Sequence, residues 1–477
     1  MKSKLTTCTF LKVKSLIILL CYSITCFSQK TLAQKPLFVV KNINIITMTS
    51  SNTILENATV VISKNFIESI NGVIPKNATI IDGKGKWLIP GLIDMHVHIP
   101  TDGGPFGPKI PTQGATFFMD IQNYMTLYNA NGVTTIFDLG SRAEHFGQRN
   151  EIGKGHVIGP RMALAAMIDG GEGQGRRANT AEDGRQAVRF AKAEGYEFIK
   201  IYSDLNIETF NAIIDEANIQ GLKTIGHIPD SFQGKLKDAF VPHFGMVAHA
   251  EELTKHAIKF DKTEAKEMAE MLKKNETWFC PTLITIEWIL KQVKSLDDTK
   301  ALPTLKYVHP LTQSKWLTAN KYNQWSDSAT IAKFENYVKF NNYLVQACKQ
   351  IGVPIVAGTD AGTSSVVPGF TMHDELELYV AAGLTPQEAL ASATRLPANW
   401  LGIESIVGSI EKGKLADLVL LDANPLDNIN NTRKIAGVFI NGVWIDKKKI
   451  DSTLAELAKW NNANKDKFDW KTMMKKK

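Results

Sequence analysis

The chain has 477 residues, 44% hydrophobic and 22% charged, an ordinary globular composition with room for a sizeable core and more than one domain. Its formal charge of +7 drops to +3 without residues 1–28, which carry Lys2, Lys4, Lys12 and Lys14 and no acid, so nothing in the charge calls for a nucleic-acid partner. Of five cysteines only Cys280 and Cys348 lie beyond that leader, too few for a disulfide framework, and both read as buried thiols.

Leu16–Leu20 is an apolar run too short to span a bilayer, preceded by lysines and followed by polar residues. That is the pattern of a secretory signal peptide over residues 1–28. Cleavage is expected before Gln29 or after Ala33, with a lipoprotein cut before Cys21 or Cys26 as the alternative. The mature protein is therefore expected to be exported, periplasmic or secreted, with no membrane span after removal of the signal. Residues 37–88 hold short β-rich runs, among them Ile43–Ile46, Thr59–Ile62 and Phe66–Ile70, punctuated by Asp82-Gly83-Lys84-Gly85. Similar runs return in residues 406–450, at Ala416–Asp422, Ile435–Ile440 and Asn441–Trp444. Strand-rich ends around a different middle predict one small β-sandwich built from both ends of the chain.

The middle, residues 89–405, alternates. Strands are expected at Gly91–His96, Val133–Leu139, Arg161–Ala165 and Phe198–Tyr202, then at Lys223–His227, Met246–His249, Trp278–Thr282 and Pro354–Thr359. Helical stretches such as Ala181–Glu194 and Ile207–Gln220 separate most of them. Eight strands alternating with helices predict an α/β fold, a (β/α)8 TIM-like barrel whose active site sits at the C-terminal strand ends. Asp102–Gly114, Asp169–Arg177 and the mostly helical residues 285–347 interrupt the alternation at that face, where barrels place substrate contacts. Residues 451–477 read as a solvated terminal helix.

Residues two apart on a strand share a face, so in Ile93-Asp94-Met95-His96-Val97-His98 the two imidazoles project together and Ile93, Met95 and Val97 turn away. Two imidazoles at a strand end are half of a transition-metal site. The same alternation turns Phe198, Lys200 and Tyr202 into the barrel and Ile199 and Ile201 outward. A free ammonium is costly to bury, so Lys200 is either paired with an inner carboxylate or converted by CO2 into a carbamate that can bridge two cations. His227 and His249 end the next two strands. Asp360, with glycines two residues away on either side, either approaches a metal or caps a helix. His243 precedes its strand and His256 sits in a helical stretch, and neither they nor His145, His156, His309 and His373 are assigned to metal.

With these residues in place, the chain resembles the amidohydrolase superfamily from about residue 37 to 445. The resemblance takes in Gly413-Lys414-Leu415-Ala416-Asp417-Leu418-Val419 and Asn424-Pro425-Leu426. Gly132-Val133-Thr134-Thr135, Phe198–Tyr202 and Gly358–Gly362 are most similar to the branch of imidazolonepropionase and its metal-dependent, prolidase-like dipeptidase relatives. The resemblance implies two divalent metal ions: His96, His98 and Asp360 on one, His227 and His249 on the other, and carboxylated Lys200 bridging. Zinc suits these ligands, with manganese or cobalt as alternatives.

The expected activity is hydrolysis of an amide or peptide bond in a small-molecule substrate, a dipeptide or N-acyl amino acid, by metal-activated hydroxide with Asp360 as proton shuttle. A lactone, organophosphate or cyclic-amide hydrolase on the same metals is the alternative, and an exported binding protein with structural metals is a third reading. Where relatives often carry Gly-Gly-His, this chain has Gly170-Gly171-Glu172. Arg176 or Arg177, in the same loop, is expected to meet a substrate carboxylate.

Overall fold

The computed structural model describes residues 37–100 and 120–475, so the signal-peptide segment and the Asp102–Gly114 loop lie outside it. Five strands open the described chain: β1 (Leu37–Ile46), β2 (Ile54–Ser63), β3 (Phe66–Ile70), β4 (Thr79–Asp82) and β5 (Trp87–Pro90). The barrel strands follow: β6 (Leu92–Val97), β7 (Val133–Asp138), β8 (Arg161–Asp169) with the two-residue β9 (Arg176–Arg177) beside it, β10 (Phe198–Ile201), β11 (Lys223–Gly226), β12 (Met246–Ala248) and β13 (Trp278–Cys280). Three more, β14 (Leu418–Leu421), β15 (Ile435–Ile440) and β16 (Val443–Asp446), return to the first group.

Both ends of the chain share one sheet, in the order β16-β15-β14-β5-β1-β2-β3 with β4 also on β1. It curls on itself: Ile67 of the edge strand β3 donates to the Lys414 carbonyl and accepts from the Gly413 amide, at 2.9 and 2.8 Å. Val40, Ile45, Val60, Leu88, Leu418 and Phe439 fill the space enclosed. The reason is compositional, since the strands are rich in β-branched, leucine and aromatic side chains that need a shared apolar layer to cover them.

The barrel sheet runs β13-β12-β11-β10-β8-β7-β6, every pair parallel. Its two sides bury different clusters. Ile199, Ile201 and Val247 face the surrounding helices, whereas Phe137, Phe198, Ile225, Met246 and Cys280 fill the interior. The helices are amphipathic and well capped. Ala181–Glu194 starts with Thr180 accepting from the Asp183 amide, buries Gly184, Ala187, Val188 and Ala191, and stops at Gly195 in a left-handed conformation (φ 93°) that glycine adopts without strain.

The eighth wall, expected at Pro354–Thr359, is not a regular strand. It closes the barrel through single bridges, Phe279 to Ile355 and Val97 to Ala361. Met95 donates to the Ala357 carbonyl at 3.0 Å and Asp360 to that of His96 at 2.7 Å. Gly358 explains the break: a Cβ there would lie 2.6 Å from Cys280 Sγ and 2.9 Å from His96 Cβ, closer than side chains can pack.

Residues 285–347 are helical as expected, with helices at Leu283–Lys294, Pro310–Thr318 and Ser328–Ile351. The tail departs from its reading as a solvated helix. Helix Lys447–Asn464 buries Ile450, Leu457 and Asn461 against the barrel's flank. Cys280 and Cys348 are free and buried. Among the described residues no helix is long and apolar enough to cross a membrane.

Candidate metal centre

His96 and His98 stand at the end of β6, but not through simple alternation. Asp94 pairs with Ile136 and Val97 with Asp138, so β6 carries one residue more than β7 over that step. This bulge leaves Ile93 and Met95 inside the barrel and sends only Val97 outward, correcting the expectation that all three turn away. Both imidazoles then reach Asp360 Oδ1, His98 Nε2 at 3.0 Å and His96 Nε2 at 3.3 Å. Ligand atoms around a tetrahedral cation with bonds of about 2.1 Å lie roughly 3.4 Å apart, so this spacing suits one ion. The three side chains form the one tight cluster of potential metal ligands among the described residues.

The remaining sequence-derived ligands lie beside it. Ring centres run from His98 to His96 at 5.2 Å, from His96 to His249 at 4.4 Å and from His249 to His227 at 5.0 Å. Neighbours hold the second pair in place. His227 Nδ1 meets Ser203 Oγ at 2.8 Å and Glu252 Oε1 at 3.3 Å, and His249 Nδ1 meets Thr282 Oγ1 at 2.7 Å. With Nδ1 engaged, Nε2 of each ring is the nitrogen left for a ligand role.

Lys200 is fully buried on β10, and among the described residues its Nζ, His227 Nε2 and His96 Nδ1 have no hydrogen-bond partner, while His96 Nε2 meets only Asp360. Orphaned buried nitrogens of this kind are rare and fit cation binding. Burial also sets the charge states. It drives His96 and His227 well below the usual imidazole range and takes His249 down to about 3, so all three are neutral and able to ligate. Lys200 falls to about 8, again through burial, with Asp360 opposing. Burial works against the Asp360 carboxylate, but its bond to His98 and the surrounding imidazoles leave its pKa below the ordinary value.

Three of these positions are strained. Asp360, His249 and Thr282 have φ of 57°, 70° and 45°, a region that side-chain-bearing residues seldom adopt. At His249, Thr282 and Asp360 the left-handed turn ends the barrel wall abruptly.

Several site-supporting residues had no signal in the sequence reading. Asp94 is buried and accepts from the Thr359 amide at 3.0 Å and hydroxyl at 2.7 Å, tying β6 to the segment that carries Asp360. Glu375 accepts from the Leu283 and Ile284 amides, both at 2.8 Å, and so fixes the helix that follows Thr282. Asp169 holds the glycine-rich loop after β8 by accepting from Gly170, Gln174 and Asp204 amides.

The loop's arginines divide. Arg176 pairs with Glu194 and sits 5.7 Å from the Tyr196 ring, which ties it to the neighbouring helix. Arg177 is exposed. None of the histidines set aside joins the cluster. His145 meets Asp138, His156 meets Glu151, His373 meets Thr432, and the His243 carbonyl accepts from Thr224.

A mostly parallel barrel with this donor set at its C-terminal mouth defines a class. The sequence pattern of the amidohydrolase family matches residues 87–445, and the chain belongs to that family. It is a metal-dependent enzyme that hydrolyses carbon–nitrogen bonds in small molecules. An uncharacterised protein of Mycobacterium tuberculosis is 24% identical over 338 residues, 68% of this chain and 76% of that one. Imidazolonepropionase of Symbiobacterium thermophilum is 41% identical over 73 residues, 15% of this chain and 17% of that protein. Among solved structures, a prolidase candidate from Bifidobacterium longum superposes with a TM-score of 0.65 at 26% identity, over 89% of this chain and 99% of its own.

Proposed function

We propose that this protein hydrolyses the amide or peptide bond of a dipeptide or N-acyl amino acid, with two divalent cations in its barrel mouth. The observation that carries the reading is the tight cluster of His96, His98 and Asp360 with the rings of His249 and His227 and the buried Lys200 beside it. The likeness to a prolidase candidate supports a peptide-like substrate.

His96, His98 and Asp360 would hold one cation and His227 and His249 the other, with zinc as the ion that suits them and manganese or cobalt as alternatives. When bound, the cations supply Lewis acidity toward the scissile carbonyl and lower the pKa of water. Lys200 as the free amine would add to CO2, the N–C bond forming as one C–O π bond opens and the amine proton is released, and the carbamate would supply oxygen ligands to the cations. Its depressed pKa keeps a share of neutral amine present near pH 8. Ser203, Glu252 and Thr282 hold the imidazole rings in the ligating orientation. Asp360 takes a proton from the attacking water and delivers it to the departing nitrogen. The amino-terminal leader pattern supports the view that this happens outside the cytoplasm.

A screen of dipeptides and N-acyl amino acids against protein reconstituted with zinc and bicarbonate tests the reading. Amine release that stops on chelation and returns with metal supports it. Turnover confined to lactones, phosphotriesters or cyclic amides contradicts it.

A further inference from the structure

Beside the proposed metal centre lies a cavity of about 190 Å³ that the reaction described above does not use. Its inner wall includes His98, and Gly362, two residues past Asp360, lines it as well, so the cavity adjoins the cluster of His96, His98 and Asp360. Three separate parts of the chain supply the rest: Tyr124 and Leu127 from the helix after β6, Tyr307 and Trp316 from the long excursion, and Leu457 and Trp460 from the terminal helix. Tyr124 is tied to the metal-centre strand, donating from its hydroxyl to the His98 carbonyl at 3.2 Å.

The lining sets the chemistry of the occupant. Among the described residues no lysine or arginine borders the cavity, and the acid there, Asp120, is exposed and accepts from the Gln122 amide as a helix cap. Asn461 also borders the cavity, 1% exposed. Its amide nitrogen donates to the Lys306 carbonyl at 2.9 Å, and its Oδ1 has no partner among the described residues. Asn123, His309 and Thr312 add polar groups to walls that are made mainly by aromatic and aliphatic side chains. An apolar cavity of about 150 Å³ is enough to take benzene, so the volume here suits one six-membered ring and its attachment.

We infer that this cavity is the specificity subsite of the enzyme and takes a single aromatic ring carried by the substrate. The inference rests on the amide-hydrolase reading for which bond is cut, and adds the class of side group beside it. It also gives the terminal helix a role, since Leu457, Trp460 and Asn461 all come from it.

Two measurements on the metal-loaded full chain test it. The first is calorimetric titration with benzyl alcohol of wild type, Leu457→Trp, which fills the chamber, and Trp460→Ala, which removes a half-exposed wall and should not disturb folding. Saturable binding to wild type, lost in Leu457→Trp and weakened in Trp460→Ala, is expected, with metal content and melting temperature as controls on the fold. The second is the ratio of kcat/KM for N-acetylphenylalanine over N-acetylglycine, which should fall by about tenfold or more in Leu457→Trp. No saturable binding to wild type, binding unchanged in both variants, or a substrate ratio that stays within about twofold of wild type overturns the inference. Absence of turnover on either substrate contradicts the amide-hydrolase reading instead, and the titration still decides whether the cavity takes an aromatic ring.

Discussion

Asp360 meets two imidazoles through one oxygen while its backbone is held in a left-handed turn by the bond from its amide to the His96 carbonyl. In the proposed mechanism a carboxylate placed this way acts mainly on the proton in flight. Asp360→Asn is therefore expected to lower kcat by about 10³-fold with a much smaller change in KM, measured on protein that keeps its metal. A second buried pair braces the same region. His145 Nδ1 lies 2.8 Å from Asp138 Oδ2, and its Nε2 lies 3.1 Å from the Ile99 carbonyl, next to His98. Burial opposes both charges, yet their mutual attraction leaves His145 above and Asp138 below the ordinary value. The raised imidazole contributes stability that is full below about pH 6.5 and lost as pH rises through its folded value; the lowered carboxylate contributes above about pH 3.9 and fades as pH falls. The melting-temperature gap between wild type and Asp138→Asn should accordingly be widest between those limits and narrow on the alkaline side; a gap constant from pH 5 to 9 contradicts the pairing. At this scale the sequence showed the ligand candidates, because each His, Lys or Asp ends a hydrophobic run. It did not show Ser203, Glu252 or Thr282, whose partners lie 24 to 33 residues away in the chain. Nor did it show that Arg176 is engaged by Glu194.

The eighth wall of the barrel shows how elements and site depend on each other. Pro354–Thr359 has the composition of a strand, but Gly358 lets the segment press against Cys280 and His96 at the cost of regular pairing. Its anchor is Asp94, a buried carboxylate whose pKa burial raises to about 7 even with three hydrogen bonds in place. Asp94→Ala strips the Thr359 amide and hydroxyl of their acceptor, and should cost about 3 kcal/mol in urea unfolding and reduce metal retention with it. Unchanged stability in that variant would mean that other contacts close the barrel. The strand and helix positions around the barrel were legible because their apolar periods are long and clean. The bulge in β6 was not, since a one-residue offset between neighbouring strands leaves no trace in the period of either. The terminal helix was misread although its signal was present: Ile450, Leu454, Leu457 and Asn461 recur at helical spacing, one apolar stripe in a run rich in lysine.

At the scale of the whole molecule, the two ends of the chain make one curled sheet that passes directly into the barrel, with β5 ending at Pro90 and β6 starting at Leu92. The Gly91 amide donates to the Asp417 carbonyl at 2.8 Å, and Arg161 of β8 pairs with Asp417 at 2.9 Å, so the sheet is fastened to the barrel at the base of its first strands. The catalytic mouth lies at the opposite strand ends, where the long excursion and the terminal helix add their aromatic residues. Fold and family place the chemistry at this end of the barrel, and the added segments line the cavity beside it. The claim on which everything else depends is the pair of cations joined through Lys200. Anomalous diffraction at the zinc edge, from crystals of active protein grown with zinc and bicarbonate, tests it directly. The account predicts two peaks per chain, one within ligand distance of His96, His98 and Asp360 and one within ligand distance of His227 and His249, with carbamate density on Lys200 between them. A single peak, or a bare Lys200 amine beside two fully occupied metals, would contradict it.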